Sequence, residues 1–178
     1  MNRENLEIFF RYSIIFIFAL IGLKLIYYIF LPLTLYPVYF LLGLIFNVSI
    51  SKDIIYIGMQ PIQIIGACVA ASAYYFLIIL NLATKKIKIK KRIETIFVSM
   101  LILLLVNITR IFILSLMFVL DSPYFEITHK IFWYFLSTIF VVLIWFFVVK
   151  VYGLKEIPFY SDIKYFYKKS LFGKTRKK

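Results

Sequence analysis

The sequence contains a single cysteine, Cys68, and a single histidine, His129. A single cysteine cannot form an internal disulfide, and it also excludes the two-cysteine redox relay of membrane oxidoreductases. The chain also lacks a Gly-rich phosphate loop, a paired-histidine metal motif and a Gly-x-Ser-x-Gly elbow. We therefore expect neither a metal nor a cofactor, so any chemistry would depend on a few single polar side chains.

Charged residues are scarce as well, at 16% of 178 residues, whereas 63% are hydrophobic. A soluble domain of this size needs more polar surface than that. The apolar residues form long uncharged runs, namely 33–50, 54–84, 95–109 and 131–149. Such runs are typical of bundled transmembrane helices. The expected fold class is all-α: a polytopic transmembrane helical bundle of about four to six membrane segments.

Acidic residues are few, since 8 Asp and Glu stand against 21 Lys and Arg, a formal charge of +13. The first basic cluster, Lys85–Arg92, has six basic residues in eight, and residues 155–178 have eight against two acids. Because both clusters adjoin apolar spans, we expect them to face anionic lipid in the cytoplasm and predict no nucleic-acid partner. The predicted domains are one transmembrane domain, 1–150, and a basic cytoplasmic or interfacial tail, 151–178.

Length, charge and turn residues divide the chain into segments. The predicted helices are Tyr12–Leu31, Ile64–Leu82, Ile93–Leu120 and Ile131–Val149. Asp121–His129 is predicted to form an outer loop between the last two helices. Gly58 and Pro61 occupy turn-like places in Asp53–Ile65, which indicates a short extended or hairpin piece before Cys68. No small-residue cleavage site follows the first apolar segment, so we interpret it as a permanent anchor.

Residues 33–50 leave two alternatives open. The positive-inside rule places 54–68 on the outer side. If the N-terminus is inside, the number of spans before residue 54 must be odd, and 33–50 is then re-entrant or interfacial. Otherwise 33–50 spans the membrane and the N-terminus is outside. We favour the first alternative.

Three polar groups fall at a similar depth when they are counted from the basic ends. Cys68 lies 17 residues before the first basic cluster, Arg110 lies 18 after it, and His129 lies 21 before Lys150. At 1.5 Å per residue these separations are about 26, 27 and 32 Å, near the outer edge of a hydrocarbon core of about 30 Å. The count predicts that three successive helices bring Cys, Arg and His to one level.

Each of the three residues has a plainer interpretation. A lone cysteine in a membrane helix is usually a small apolar filler, and a histidine at a helix start is often interfacial. An arginine inside an apolar run is different, because it is costly there and normally marks a pathway, a partner or a site. The alternative function is therefore a non-catalytic membrane subunit or small transporter that uses Arg110 to bind an anionic ligand.

The same residues resemble the exosortase/archaeosortase family over roughly residues 54–150. The motifs that carry the resemblance are Ala67-Cys68 opening one membrane helix, Asn107-Ile-Thr-Arg110-Ile111 in the next, and His129 at the head of the following one. The resemblance implies a membrane cysteine transpeptidase. Its substrates would be exported proteins with a C-terminal motif, apolar span and basic tail, cut on the outer face and passed to a lipid or other acceptor.

By this resemblance Cys68 matches the nucleophile, Arg110 the invariant arginine and His129 the third catalytic position, which is arginine in some archaeal members. Many members have Ser or Thr and then Gly after the cysteine, where this chain has Val69 and Ala70. The residue types suit acyl transfer through a thioester. A neighbouring arginine favours the reactive thiolate and an oxyanion, and a histidine can move the proton.

Overall fold

The computed structural model describes residues 3–85 and 87–154, together with residues 158, 160, 163, 164 and 167. Most of the predicted tail, 151–178, therefore lies outside the described residues. The chain is mostly helical, as predicted, but it also contains a small sheet. In chain order the elements are α1 (Arg3–Gly43), β1 (Val48–Ser51), β2 (Ile54–Ile57), β3 (Gln60–Gln63), α2 (Gly66–Val69), α3 (Ala71–Ala83), α4 (Ile89–Val119), α5 (Phe125–Ile131), a π-helical segment (Phe132–Leu136) and α6 (Ser137–Val151).

Helices α3 and α4 form the centre of the molecule. They pack on each other, α1 packs against both, and α6 also packs against both. Fully buried side chains such as Tyr74 and Leu77 of α3 and Val148 of α6 lie in these contacts. Large apolar side chains such as Phe97 and Leu105 of α4 point outward and are more than half exposed. A helix that is apolar on both its inner and outer faces is typical of a membrane span.

Two helical stretches are long and apolar enough to cross a membrane, namely Gly22–Gly43 of α1 and Ile89–Val119 of α4. The pair α5 and α6 passes the same test together, across a bend of 50°. Helix α3 is apolar, but its 13 residues are fewer than a full span requires. Helices able to span a membrane are thus present as predicted, and the number of four to six segments stays a prediction.

The preferred interpretation of residues 33–50, a re-entrant or interfacial segment, is wrong. Residues 33–43 continue α1 through Pro32 and Pro37, and the remaining residues form a turn and the start of β1. A proline removes one backbone hydrogen bond, whereas ending the helix in apolar surroundings would expose several polar groups. One long helix therefore precedes residue 54.

The three strands form an antiparallel meander in the order β1-β2-β3. Gly58, at φ +60°, and Met59 make the turn between β2 and β3, so the predicted hairpin before Cys68 is confirmed. Pro61 lies in edge strand β3 rather than in a turn, and an edge strand tolerates its missing N–H. Strand β1 was not predicted, because four residues that alternate Val or Ile with Ser are too short a signal.

Two arginines hold the C-terminal end of α3. Arg92 of α4 donates to three backbone carbonyls there, those of Asn81, Leu82 and Thr84. Arg11 of α1 donates to the Ala83 carbonyl at 3.2 Å. The last carbonyls of a helix lack intrahelical partners and favour a positive charge. Helices α1, α3 and α4 therefore meet beside the first basic cluster, and α1 leads from there to the sheet.

Candidate active site

Cys68 lies in a one-turn helix, α2 (Gly66–Val69), between the sheet and α3, and we call this helix the Cys68 turn. At the end of strand β3, Gln63 Nε2 donates a hydrogen bond at 2.9 Å to Oδ2 of Asp53, which directly precedes β2. The predicted helix Ile64–Leu82 is in fact broken, because Ala70 adopts the left-handed conformation with φ 58° and ψ 37°. Neither glycine nor proline marks this break in the sequence. Cys68 is half-buried and lies two residues before Ala70.

The break leaves the Cys68 carbonyl without its helical partner, whereas the Ala67 carbonyl accepts from the Ala70 N–H at 3.3 Å. In a continuous helix the Cys68 carbonyl would accept from the amide four residues later. Here Asn107 Nδ2 of α4 donates to it at 2.8 Å. Arg110 Nη2 approaches the carbonyl of Ala67 at 3.5 Å, the long limit of a hydrogen bond. One face of α4 thus contacts two successive carbonyls of α2.

Asn107 and Arg110 lie one turn apart on α4, and residues three apart in a helix share a face. The Asn107 side chain is only 3% exposed. The Arg110 guanidinium reaches the carbonyl of Ala67, the residue that directly precedes Cys68. The structure therefore brings Cys68 and Arg110 together around the turn that holds the sulfur.

His129 lies inside α5 rather than at the head of a helix. The predicted loop Asp121–His129 is shorter than expected, since α5 begins at Phe125. The His129 ring stacks on Phe125 with centroids 5.6 Å apart, and it meets Trp133 edge-on at 6.1 Å. Among the described residues no hydrogen bond joins His129 to Cys68 or to an α4 side chain.

Helices α5 and α6 do not form one straight helix. The depth of His129 was counted along one straight helix to Lys150, whereas the two helices meet at 50°. Phe125 contacts Phe118 near the end of α4, with ring centroids 5.4 Å apart. Phe118 is eight residues beyond Arg110, roughly 12 Å along the helix axis. The contact places Phe125 beyond Arg110, and His129 comes one turn later in α5, so the common level of His129 and Arg110 stays a prediction.

The arrangement offers a thiol beside a cation and before a helix N-terminus. Helix α3 begins directly after the Cys68 turn, and its N-cap residue, Ala70, makes no side-chain capping bond. In general, a helix N-terminus and a neighbouring cation both favour an anion. Within the part of the chain that is described, no three His, Cys, Asp or Glu side chains gather as a metal site would require.

Asn107 is the residue of this site to which the sequence interpretation assigns no role. It stands three positions before Arg110 in an otherwise apolar run. The sequence does contain one signal for Asn107, because a buried side-chain amide in an apolar helix must find a hydrogen-bond partner. The sequence does not show that this partner is the Cys68 carbonyl, which is available only because α2 is separated from α3.

Comparison with protein-family models, with curated proteins and with solved structures finds no match for this chain. Its function is therefore argued from the sequence motifs and from the geometry around the Cys68 turn.

Proposed function

We propose that this protein is a membrane-embedded cysteine transpeptidase of the exosortase/archaeosortase type. Its substrates are exported proteins that end in a short motif, an apolar span and a basic tail. The enzyme cleaves this sorting signal at the outer membrane face and passes the protein to a lipid or another acceptor through a thioester at Cys68. The substrate class rests on the resemblance over residues 54–150, and the nucleophile rests also on geometry.

The observation that carries the proposal is the approach of Arg110 Nη2 to within 3.5 Å of the carbonyl next to Cys68. Burying a guanidinium in an apolar helix is unfavourable unless it gains something there. This guanidinium reaches the peptide unit beside the only cysteine of the chain. A cation in that place favours the thiolate, which is the nucleophilic form of cysteine.

The proposed reaction has two acyl-transfer steps. The Cys68 sulfur attacks the scissile carbonyl carbon while its proton passes to His129, and Arg110 stabilises the oxyanion that forms. Collapse of this tetrahedral species breaks the C–N bond, and His129 returns the proton to the leaving amine. An amine, a lipid head group or water then attacks the thioester carbon and releases the sulfur. The resemblance supports the role of His129, and the contacts of α4 support that of Arg110.

The proposed setting is a multi-pass cell-membrane protein with the first basic cluster and the C-terminus in the cytoplasm. The positive-inside rule supports this orientation. The Cys68 turn belongs to the end of α3 opposite the one that Arg92 binds. We therefore propose that the thiol faces the outer side, where exported substrates arrive.

The test is processing of an exported reporter that ends in such a sorting signal, followed by its mobility shift at equal enzyme levels. Cys68→Ala and Cys68→Ser are expected to abolish processing, because neither offers a thiolate. Arg110→Lys is expected to lose most activity, since it keeps the charge but not the planar fork. Ser72→Ala, an exposed position one turn along, is the matched control and is expected to process like the wild type.

Wild-type processing by Cys68→Ala would refute the enzyme proposal outright. The alternative, a non-catalytic subunit or transporter in which Arg110 binds an anionic ligand, predicts that Cys68→Ser is tolerated while Arg110→Lys changes ligand binding. The two functions therefore place opposite demands on the same substitution.

A further inference from the structure

The hydrogen bond from Asn107 to the Cys68 carbonyl has no part in the acyl-transfer steps described above, because a carboxamide is neither a base nor a nucleophile at neutral pH. It nevertheless spans two helices at 2.8 Å and uses a side chain that is 3% exposed. A buried contact of this quality fixes the relative position of the groups it joins.

Other buried polar residues of α4 behave differently. The Thr95 hydroxyl donates to the Arg92 carbonyl at 2.9 Å, and the Ser99 hydroxyl donates to the Thr95 carbonyl at 2.7 Å. Both bonds stay within one helix, as is usual for hydroxyl groups in helices. Asn107 instead reaches across to a carbonyl that the break at Ala70 has released from helical bonding. Its bond therefore depends on the turn that contains Cys68.

We infer that Asn107 is a positioning residue, which holds the Cys68 turn against α4 so that the thiol stays beside Arg110. The guanidinium contact with Ala67 is at the long limit of a hydrogen bond, whereas the amide bond is short. The amide thus fixes the turn, and the guanidinium acts on the charge that develops there. The catalytic meaning of this inference rests on the proposed function, but the positioning itself is measurable without a substrate.

The measurement uses two alkylating reagents on Cys68, iodoacetate and iodoacetamide, in isolated membranes. A guanidinium beside the thiol attracts the anionic reagent but not the neutral one, so the ratio of the two rates reports how close Arg110 is. Asn107→Leu keeps the number and branching of the side-chain heavy atoms but removes the donor, and it is expected to lower this ratio about 5-fold, the factor that corresponds to one hydrogen bond. General loosening of the fold would raise both rates and leave their ratio unchanged.

The matched control is Ser99→Ala, which removes a buried polar group two turns away on the same helix. Its hydroxyl bonds only to its own helix, so the ratio is expected to equal that of the wild type. In the processing assay Asn107→Leu is expected to lower kcat by about 10²-fold with little change in KM, because a nucleophile displaced by about 1 Å reacts poorly. Asn107→Gln, which keeps the amide, is expected to restore part of both effects.

An unchanged alkylation ratio in Asn107→Leu would overturn the positioning role. If that variant does not insert, Asn107→Ser decides in the same measurement, since it is smaller and keeps a polar group too short to reach the carbonyl. A lowered ratio together with normal processing by Cys68→Ala would leave the positioning intact and refute the enzyme. The reverse pair, an unchanged ratio with an inactive Cys68→Ala, would refute the positioning and leave the enzyme.

Discussion

Arg110 sits in a long apolar helix, where a charged side chain loses its hydration and must find other partners. It approaches the carbonyl of Ala67, which directly precedes Cys68, at 3.5 Å. A thiol in apolar surroundings normally stays protonated and inert, whereas a nearby cation favours the thiolate. The contact with Ala67 is therefore the reason why a cysteine that alone would be a small filler is a candidate nucleophile.

His129 is held between Phe125 and Trp133 of its own helical stretch, so its role as proton carrier needs a test that preserves this stacking. His129→Phe keeps an aromatic ring and removes the titratable nitrogens. If His129 moves the proton, turnover of the reporter is expected to fall by roughly 10²–10⁴-fold, the scale for losing a general acid–base group. The measurement is the single-turnover processing rate in membranes with equal amounts of enzyme.

His129→Ala, which loses both the ring and the nitrogens, is the companion variant. A structural role in the aromatic stack predicts a defect in His129→Ala alone. Wild-type turnover by His129→Phe would therefore remove His129 from the mechanism and leave Cys68 and Arg110 untouched.

For single residues, the sequence identifies those whose presence in apolar surroundings is unfavourable or chemically unusual. Cys68 and Arg110 stand out on those grounds, and the structure brings Arg110 to the carbonyl next to Cys68. The partner of Asn107 could not be predicted, because the carbonyl that it binds is available only where a helix is broken. The bend after α5 could not be predicted either, because a count of residues contains no information about it.

The break between α2 and α3 is the element that presents Cys68. Its local sequence, Gly66-Ala-Cys-Val-Ala-Ala-Ser72, is rich in alanine, the best helix former, and so predicts a continuous helix. The actual break leaves Ala70 in the left-handed region and gives two α2 carbonyls to α4 side chains. Tertiary hydrogen bonds therefore override local propensity here, and such an override cannot be read from one segment alone.

Ala70 bears the conformational cost of this break. Its φ of 58° is a conformation that glycine adopts freely and alanine adopts at a cost of about 1–2 kcal/mol. Ala70→Gly is therefore expected to raise stability by up to about 1 kcal/mol, after the larger chain entropy of glycine in the unfolded state is deducted. The measurement is the midpoint of thermal unfolding in detergent, followed by loss of the monodisperse chromatographic peak.

The matched control for this change is Ala73→Gly, three residues later inside α3. Glycine there replaces alanine at an ordinary helical position, so it is expected to lower stability by about 0.5–1 kcal/mol. A decrease of similar size in both variants would contradict the assignment of a left-handed conformation to Ala70.

Across the whole molecule, the basic residues and the sheet lie at opposite ends of α1. Arg11 binds the end of α3 beside the first basic cluster, and Gly43, where α1 ends, is 32 residues further on. In a continuous helix that distance is roughly 48 Å, enough to pass through the hydrocarbon core and both head-group layers. Charge distribution and long apolar runs were sufficient to predict this plan, whereas the single helix before residue 54 required the structure.

We predict that the single helix before residue 54 crosses the membrane once, so the N-terminal end of α1 is expected on the same side as the first basic cluster. The positive-inside rule makes that side the cytoplasm and puts the β2–β3 turn outside.

Two exposed residues allow this orientation to be tested by labelling. Met59 at the tip of the β2–β3 turn is 99% exposed, and Lys88 is an exposed residue of the first basic cluster. In a Cys68→Ala parent, the Met59→Cys variant is therefore expected to react with a membrane-impermeant maleimide in intact cells, and the Lys88→Cys variant only after the cells are opened. The parent without added cysteine gives the background. Labelling of the Lys88→Cys variant in intact cells, with none of the Met59→Cys variant, would reverse the orientation and put the Cys68 turn on the cytoplasmic side, where exported substrates do not arrive.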